Sequence, residues 1–319
     1  MSSDSRHGVE QAQITLRVSF LHHMSFPHAY IINLDGSDKR MVEMRAELDR
    51  EGLSFTRVPA VDGRGRPAQS FPEYRARRAV GFLDRELLGG EVACSLSHVA
   101  CVERFLATDE PYALVLEDDS VLEEGFAARV ADIVAALEQQ PSLDWHVVHL
   151  SSPGLKIATP LQRIGQHALY HAHYFPMRTT TILWSRAGAQ AFIDLQHGIF
   201  APIDMFFRYW VTRTGKGLAI HPALALDRMG ASDIESVGDT LTRQGGYRGV
   251  KYFLRKQRRM ALGKVFAYRR LLSMRVTRAL RAKSARRPSA VAPRQAAAVR
   301  TDRAASQSSP NRASAGSSD

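Results

Sequence analysis

Three consecutive acids, Glu117-Asp118-Asp119, are the residues of this chain with the clearest capacity for chemistry. They follow residues 112–116, a continuously apolar run that predicts a buried central strand. Side chains alternate along an extended chain, so Glu117 and Asp119 are expected on one side and Asp118 on the other. Clustered carboxylates repel each other, and a hard divalent cation such as Mg²⁺ or Mn²⁺ relieves that repulsion. The triplet therefore indicates a metal site, although such triplets are also typical of solvated loops and helix starts.

The elements that must position the triplet predict a parallel α/β layer. Residues 29–34 form a short apolar, β-branched run that predicts a strand, and a turn over 35–38 follows it. Helical spacing of apolar residues over 41–48 then leads to a second strand over 55–58. Such a strand–helix–strand unit is typical of a parallel sheet. Ligands of open α/β sheets bind beyond the carboxyl ends of the strands, which is where the triplet lies.

Further along the chain the pattern predicts a continuing alternation of helices and strands. Residues 64–90 are rich in Arg and predict a loop with some helix, and residues from about 286 onward predict disorder. His167, His171 and His173 lie in a context that predicts polar surface. The remaining predicted elements are helices over 91–106, 125–139, 185–193 and 205–210, and strands over 145–150, 179–184 and 218–220.

Charge is distributed unevenly along the chain. Residues 1–240 carry 23 Lys and Arg against 30 Asp and Glu, whereas residues 241–319 carry 20 against 2. Within residues 251–287 there are 14 Lys and Arg and no acid, with apolar residues recurring every three or four positions. This pattern predicts a basic amphipathic helix lying on an anionic membrane surface. The alternative is a solvated basic helix packed against the acidic domain.

Composition also restricts the compartment and the partners. The two cysteines, Cys94 and Cys101, indicate neither a disulfide framework nor a zinc site. No apolar run approaches the 18 residues of a membrane span, and residues 1–23 do not resemble a signal peptide. We therefore expect a cytoplasmic protein. A nucleic-acid-binding function for the basic segment lacks a recognisable motif, and we expect no nucleic-acid partner.

Four domain segments are expected from these patterns. They are a flexible extension over 1–23, with Met24 as a possible true start, a catalytic domain over 24–240, the basic amphipathic segment over 241–287, and a disordered tail over 288–319.

Several short motifs follow one another along the chain. They are Tyr30-Ile-Ile-Asn-Leu34 followed by Arg40, Ala60-Val-Asp-Gly63, Gly90-Glu-Val-Ala-Cys-Ser-Leu-Ser-His98, and Leu114-Val-Leu-Glu-Asp-Asp119. Taken together in this order, they resemble glycosyltransferase family 25, which contains bacterial lipooligosaccharide galactosyltransferases and collagen-modifying relatives. Weaker similarity follows at residues 179–191, 202–204 and 232–234.

The resemblance implies a GT-A fold, which is a Rossmann-like mixed sheet with flanking helices, here followed by the basic helical extension. It implies a UDP-sugar donor, often UDP-galactose, an inverting transfer, and an acceptor sugar on a lipooligosaccharide or lipopolysaccharide core. The metal, Mn²⁺ or Mg²⁺, is expected on Glu117 and Asp119. Peripheral attachment to the inner membrane of a bacterium follows from such an acceptor. The residues expected to bind the donor are Asn33, Asp35, Arg40, Ser97, His98 and Asp118.

An inverting transfer needs a carboxylate that takes the proton of the acceptor hydroxyl. Asp204 is the first candidate for this base and Glu91 the second, although Asp204 could instead cap the helix over 205–210. His221 is a candidate for an additional metal ligand. Turn chemistry at Asn33 and Asp35 and a solvated surface role for Arg40 also remain open, as do a metal-dependent phosphoesterase and a non-catalytic family member.

Overall fold

The computed structural model describes residues 26–195, 198–228 and 250–285. The predicted extension over 1–23, the tail over 288–319 and the weak motif at 232–234 lie outside these ranges. The chain divides into two compact units, residues 1–276 and residues 277–319. Only the first unit contains the sheet and the site described below.

Seven α-helices and ten strands are found in the described ranges. The helices are α1 (Asp38–Arg50), α2 (Ala76–Leu83), α3 (Gly89–Leu106), α4 (Phe126–Glu138), α5 (Arg186–Leu195), α6 (Ile203–Thr214) and α7 (Val250–Ala285). The strands are β1 (His28–Asn33), β2 (Phe55–Pro59), β3 (Tyr112–Glu117), β4 (Ser120–Leu122), β5 (Val147–His149), β6 (Ala158–Ile164), β7 (His167–Ala172), β8 (Thr181–Ser185), β9 (Gly217–His221) and β10 (Ala225–Asp227).

Eight of these strands form one mixed sheet in the order β2-β1-β3-β8-β5-β9-β7-β6. Strand β1 pairs in parallel with both β2 and β3, which confirms the predicted strand–helix–strand unit. Strand β8 runs antiparallel between β3 and β5, and β7 runs antiparallel between β9 and β6. The carboxyl ends of β1, β3, β5 and β9 therefore share one edge. The segment that enters β8 arrives at the same edge.

The sheet is buried on both faces because its strands alternate between two apolar layers. Tyr30 and Val115 lie in the layer that contains α3, α5 and α6. Ile31 and Leu114 lie in the opposite layer with α1 and α4. Burial on both sides explains why β1 and β3 read as continuous apolar runs in the sequence.

The segment 64–90, for which a loop with some helix is expected, contains helix α2. One prediction about burial is wrong. His167, His171 and His173 were expected on the surface, but all three are buried, the first two on strand β7 and the third just after it. Strand β7 is covered because it lies inside the sheet, between β9 and β6.

One face of helix α7 packs against the domain. Ala267 is fully buried with Ile157 and Tyr174. Arg270 donates to the carbonyls of Thr212 and Arg213 at 2.9 and 2.8 Å, and so caps the carboxyl end of α6. Within the described ranges, no helix has the combination of length and apolar character that a membrane span requires.

Candidate metal and donor site

The acidic triplet lies at the shared carboxyl edge of the sheet, where strand β3 ends. Glu117 contacts helix α3 through His98, whose Nε2 is 3.2 Å from Glu117 Oε1. Thr179, just before β8, donates to the same carboxylate oxygen at 3.3 Å. Because the His98 side chain is fully buried, its contact orients Glu117 from behind and leaves the carboxylate facing the cleft.

Asp118 is held by strand β1 and helix α1. The Asn33 side-chain amide donates to Asp118 Oδ2 at 2.6 Å, and Arg40 Nη1 is 3.6 Å from Oδ1. Arg57 donates from Nε to Asn33 Oδ1 at 2.8 Å and pairs with the exposed Asp35 at 2.5 Å. The predicted donor residues Asn33, Asp35 and Arg40 therefore lie together at the end of β1.

Asp119 is the acid with the least compensation. Its Oδ1 is buried and has no hydrogen-bond partner. Burial, reinforced by the charges of Glu117, Asp118 and Asp227, raises the pKa of Asp119 to about 7. A carboxyl group in this position favours its neutral form unless a cation is nearby.

Asp227 is a member of this cluster that the sequence did not indicate. Strand β10 pairs antiparallel with β4, so Asp227 lies opposite Ser120, directly after the triplet. Thr180 Oγ1 donates to Asp227 Oδ1 at 2.8 Å, and Arg178 pairs with Oδ2 at 2.5 Å. Its position depends on pairing between strands more than 100 residues apart, which no local pattern reveals.

Arg178 is a second residue that sequence reasoning missed. Its backbone has a φ of 72°, a left-handed conformation that is uncommon outside glycine and often occurs at functional sites. The carbonyl of Arg178 accepts from His149 Nε2 at 2.6 Å. Burial raises the pKa of Asp204, and the Arg178 backbone partly offsets this effect because it favours the charged form of the carboxylate. The strained residue thereby connects Asp227 to the candidate base.

A cleft of about 490 Å³ opens in front of Glu117 and Asp118. Its walls are residues 60–69 and the first turns of α3, and Arg40, Arg64 and Arg66 supply positive charge. The two walls are in direct backbone contact, because a Cβ on Gly89 would overlap the carbonyl of Arg66. The cleft size suits a nucleotide-sized ligand, and its cations suit an anionic one.

Asp204 and Glu91, the two candidate bases, have different surroundings. Asp204 begins helix α6 and accepts from the Met205 amide at 2.6 Å. Burial raises the pKa of Asp204, and the charge of Glu117 contributes in the same direction. Glu91 instead pairs with Arg85 at 2.5 Å and accepts from the Leu88 amide at 2.9 Å as the cap of helix α3. These contacts favour Asp204 over Glu91 as the base, because Glu91 is already engaged by Arg85 and the Leu88 amide.

The remaining candidate residues are Ser97, His221 and Cys94, and they differ in their surroundings. Ser97 borders the cleft, but its hydroxyl donates to the Ala93 carbonyl at 2.8 Å and accepts from the Val61 amide at 2.9 Å. His221 lies at the end of β9, on the same sheet edge as the acids, and its buried Nδ1 has no partner. Cys94 lies within 4.8 Å of the ligand atoms of His98 and Glu117. Burial raises the pKa of the Cys94 thiol well above its usual range, which disfavours a thiolate ligand.

The acids fit a divalent cation. The charges of Glu117, Asp118 and Asp227 act on Asp119, and one buried oxygen of Asp119 has no partner. Mg²⁺ and Mn²⁺ prefer carboxylate oxygens of this kind. Glu117 and Asp119 would hold the ion, whereas both oxygens of Asp227 already have partners in Arg178 and Thr180.

The raised pKa of Asp119 leads to a prediction about stability. The folded state holds the proton up to about pH 7, whereas an unfolded Asp releases it near 3.8. The unfolding free energy of the metal-free protein should therefore fall as pH rises from about 4 to 7. Asp119→Asn removes this penalty. It should stabilise the protein at pH 8 in EDTA by on the order of 2 kcal/mol.

Thermal denaturation of the wild type, Asp119→Asn and the exposed control Asp49→Asn would measure this effect. The advantage of Asp119→Asn should disappear near pH 4, and saturating Mn²⁺ should stabilise only proteins that retain Asp119. Equal melting temperatures of wild type and Asp119→Asn at pH 8 would contradict the prediction.

Comparison with known proteins identifies the family. The family model described as glycosyltransferase family 25 (LPS biosynthesis protein) matches residues 26–207. These residues make up more than half of the chain and include β1, the cleft walls, the acidic triplet and Asp204. The chain belongs to glycosyltransferase family 25.

Individual relatives match shorter parts of their own length. A glycosyltransferase 25 family member of Aedes aegypti is 34% identical over 115 residues, 35% of this chain and 19% of the relative. Procollagen galactosyltransferase 2 of Homo sapiens is 24% identical over 188 residues, 57% of this chain and 30% of the relative. A protein of Rattus norvegicus named probable inactive glycosyltransferase 25 family member 3 is 27% identical over 240 residues, which are 69% of this chain and 41% of the relative. This chain thus spans less than half of each relative.

Proposed function

We propose that this protein is a metal-dependent, inverting glycosyltransferase of the GT-A type that transfers a hexose from a UDP-sugar to a glycan acceptor. The observation that carries the proposal is the position of the acidic triplet beside a nucleotide-sized cleft that three arginines also line, at one sheet edge. Family membership supports glycosyl transfer. Galactose is the proposed sugar, and a lipopolysaccharide or lipooligosaccharide core is the proposed acceptor.

In this mechanism the cleft binds the nucleotide and the acids orient its diphosphate. Asn33 and Arg57 form one end of the site, and Arg40 approaches the phosphates from helix α1. A divalent ion, when bound, neutralises charge on the departing diphosphate. Asp204 takes the proton of the acceptor hydroxyl as the new bond forms at the anomeric carbon.

UDP release tests the proposal directly. The full-length protein would be incubated with Mn²⁺ and a panel of UDP-sugars, with and without truncated lipooligosaccharide. We expect acceptor-stimulated release with one hexose donor and loss of release in excess EDTA. Full activity in EDTA would overturn the metal site, and no release with any donor would favour a non-catalytic family member.

We also propose that helix α7 attaches the enzyme to an anionic membrane, which for a bacterial lipid-linked acceptor would be the cytoplasmic face of the inner membrane. Its outward face carries Val265, Tyr268, Leu272 and Val276, spaced by three, four and four residues. Each of these side chains is more than half exposed, and basic residues flank them. An apolar stripe bordered by cations is typical of interfacial helices.

Two matched double variants test membrane attachment without removing the packed face of α7. Val265→Gln with Leu272→Gln should reduce sedimentation with anionic vesicles about tenfold or more, because each buried apolar side chain contributes roughly 1.5–3 kcal/mol. Val42→Gln with Leu195→Gln, which changes two exposed apolar residues elsewhere on the domain, is the control. Equal pelleting of the two variants, or no pelleting of the wild type, would contradict membrane attachment through this stripe.

A further inference from the structure

A second cavity of about 400 Å³ lies between helix α7, helix α6 and the end of helix α2. Six cationic side chains line it, and no described lining residue is Asp or Glu. These cations are Arg208, Arg213, Arg255, Lys256, Arg258 and Arg259. A concave site with this charge composition is suited to an anion.

The partners of these cations leave most of their charge uncompensated. Arg255 pairs with Asp84 at 2.9 Å. Arg259 donates to the carbonyl of Phe82, and Arg208 donates to the carbonyl of Phe175 at 2.9 Å. Lys256 and Arg258 are exposed at the rim. Since carbonyl groups carry no net charge, the cavity keeps a strong positive potential.

Burial increases the cost of this arrangement. It lowers the pKa of both Arg208 and Arg259, which means that their guanidinium groups are partly desolvated. Asp204 interacts with Arg208 and offsets part of this cost. An oxyanion placed among the arginines would compensate the rest through charge-assisted, bidentate hydrogen bonds.

The other lining residues suit a sugar rather than a bare ion. Tyr174, Tyr209 and Phe82 line the cavity, and one arginine lies over each of their rings. Met177 and Met205 add apolar surface. The cavity thus combines anion-binding groups with apolar surface that a sugar ring can contact.

The cavity also continues toward the candidate active site. A smaller cavity of about 140 Å³ shares Tyr174, Met177 and Arg208 with it and extends to Arg178. Arg178 pairs with Asp227, and its backbone interacts electrostatically with Asp204. A ligand anchored among the arginines can therefore extend toward the base that the transfer requires.

We propose that this cavity binds an anionic sugar, one that bears a phosphate or carboxylate group, of the acceptor glycan. This inference rests on the proposed function. It specifies the acceptor as an acidic glycan and assigns Lys256, Arg258, Arg259 and Arg208 as the residues that select it.

Two charge-matched variants of the full-length protein test the cavity. Lys256→Glu with Arg258→Glu reverses two charges in its lining, whereas Lys251→Glu with Lys264→Glu reverses two exposed charges of the same helix outside it. Binding of glucose 6-phosphate, glucuronate, glucose and inorganic phosphate would be measured by calorimetry. The first variant should weaken glucose 6-phosphate and glucuronate binding about tenfold or more. The second should change this binding less than about twofold, because salt screens the attraction between an anion in the cavity and exposed charges outside it.

Three outcomes would overturn the assignment. These are equal effects of the two variants, glucose binding as tightly as its phosphate, and inorganic phosphate binding as tightly as the sugar phosphate. A lipid headgroup is the other source of the same oxyanion. If the first variant releases the protein from phosphatidylglycerol vesicles while sugar phosphate binding is unchanged, the cavity belongs to the membrane surface and not to the acceptor.

UDP binding in the presence of Mn²⁺, measured on the same samples, separates this test from that of the proposed function. The donor cleft and the second cavity share no lining residue. If the wild type binds UDP but no sugar phosphate, the acceptor assignment alone is refuted. If the wild type does not bind UDP, the proposed function is refuted.

Discussion

Asp119→Asn is expected to reduce sugar transfer by about 10²- to 10³-fold, the usual effect of removing one group that stabilises charge in a transition state. The substitution preserves size and removes the charge of an oxygen that is buried without a partner. A metal held by the remaining acids would bind weakly and be poorly placed against the diphosphate. Initial rates of UDP release at saturating donor, as a function of Mn²⁺ concentration, would measure the loss.

The control for this prediction is Asp49→Asn, an exposed acid of helix α1. It should retain wild-type rates and the wild-type requirement for metal. Because Asp119→Asn should also be the more stable protein in EDTA at pH 8, lost activity cannot be attributed to unfolding. A variant with wild-type rates at every Mn²⁺ concentration would remove Asp119 from the metal site.

Asp204→Asn is expected to lower kcat by about 10²- to 10⁴-fold and to change the donor KM little, because a general base acts in the transition state. Only deprotonated Asp204 accepts the proton, so the wild-type rate should fall as pH decreases through its pKa. This fall is the acidic limb of the pH–rate profile. Burial raises the pKa of Asp204 above the ordinary range of Asp, so the acidic limb should lie at a higher pH than for an exposed Asp. The residual activity of Asp204→Asn should show no acidic limb.

Two comparisons distinguish this role from a structural one. Asp194→Asn, on the exposed side of helix α5, should keep both the rate and the pH profile. Glu91→Gln should instead lower the melting temperature, because it weakens the pair with Arg85 and the cap of α3. If Glu91→Gln abolishes the acidic limb and Asp204→Asn does not, the base is Glu91.

The first half of the sheet could be predicted from the sequence because its strands are buried on both faces. Strands β1 and β3 appear as unbroken apolar runs, and the Glu117–Asp119 triplet follows directly from the position of β3. The same reason makes four site residues predictable from the sequence. They are the candidate metal ligands Glu117 and Asp119 and the residues Asn33 and Arg40. Each lies within a few residues of the end of a recognisable strand.

The hairpin of β6 and β7 was missed because its buried positions are polar. His167, Leu169, His171 and His173 are all buried, and their spacing of two is the signal of a strand. A polar side chain can be buried there because neighbouring strands satisfy it, as Thr159 does for His173 at 2.7 Å.

The parts of the site contributed by Arg178 and Asp227 could not be predicted from local patterns. Asp227 reaches the acids through pairing of two three-residue strands, and Arg178 through a left-handed backbone in the segment that enters β8. Both positions are decided by tertiary structure. Arg178 and Asp227 are far from the triplet in the sequence, so the sequence does not indicate that they lie close to it in space.

The two binding cavities take their residues from different stretches of the chain. Every lining residue of the cleft lies between Ile32 and Asp118, whereas the second cavity takes all but Gly81 and Phe82 from residues 174–263. Substitutions that alter one cavity therefore need not alter the other. In descendants of such a chain, preference for the donor and preference for the acceptor can diverge independently, and helix α7 can be exchanged while the nucleotide cleft is inherited unchanged.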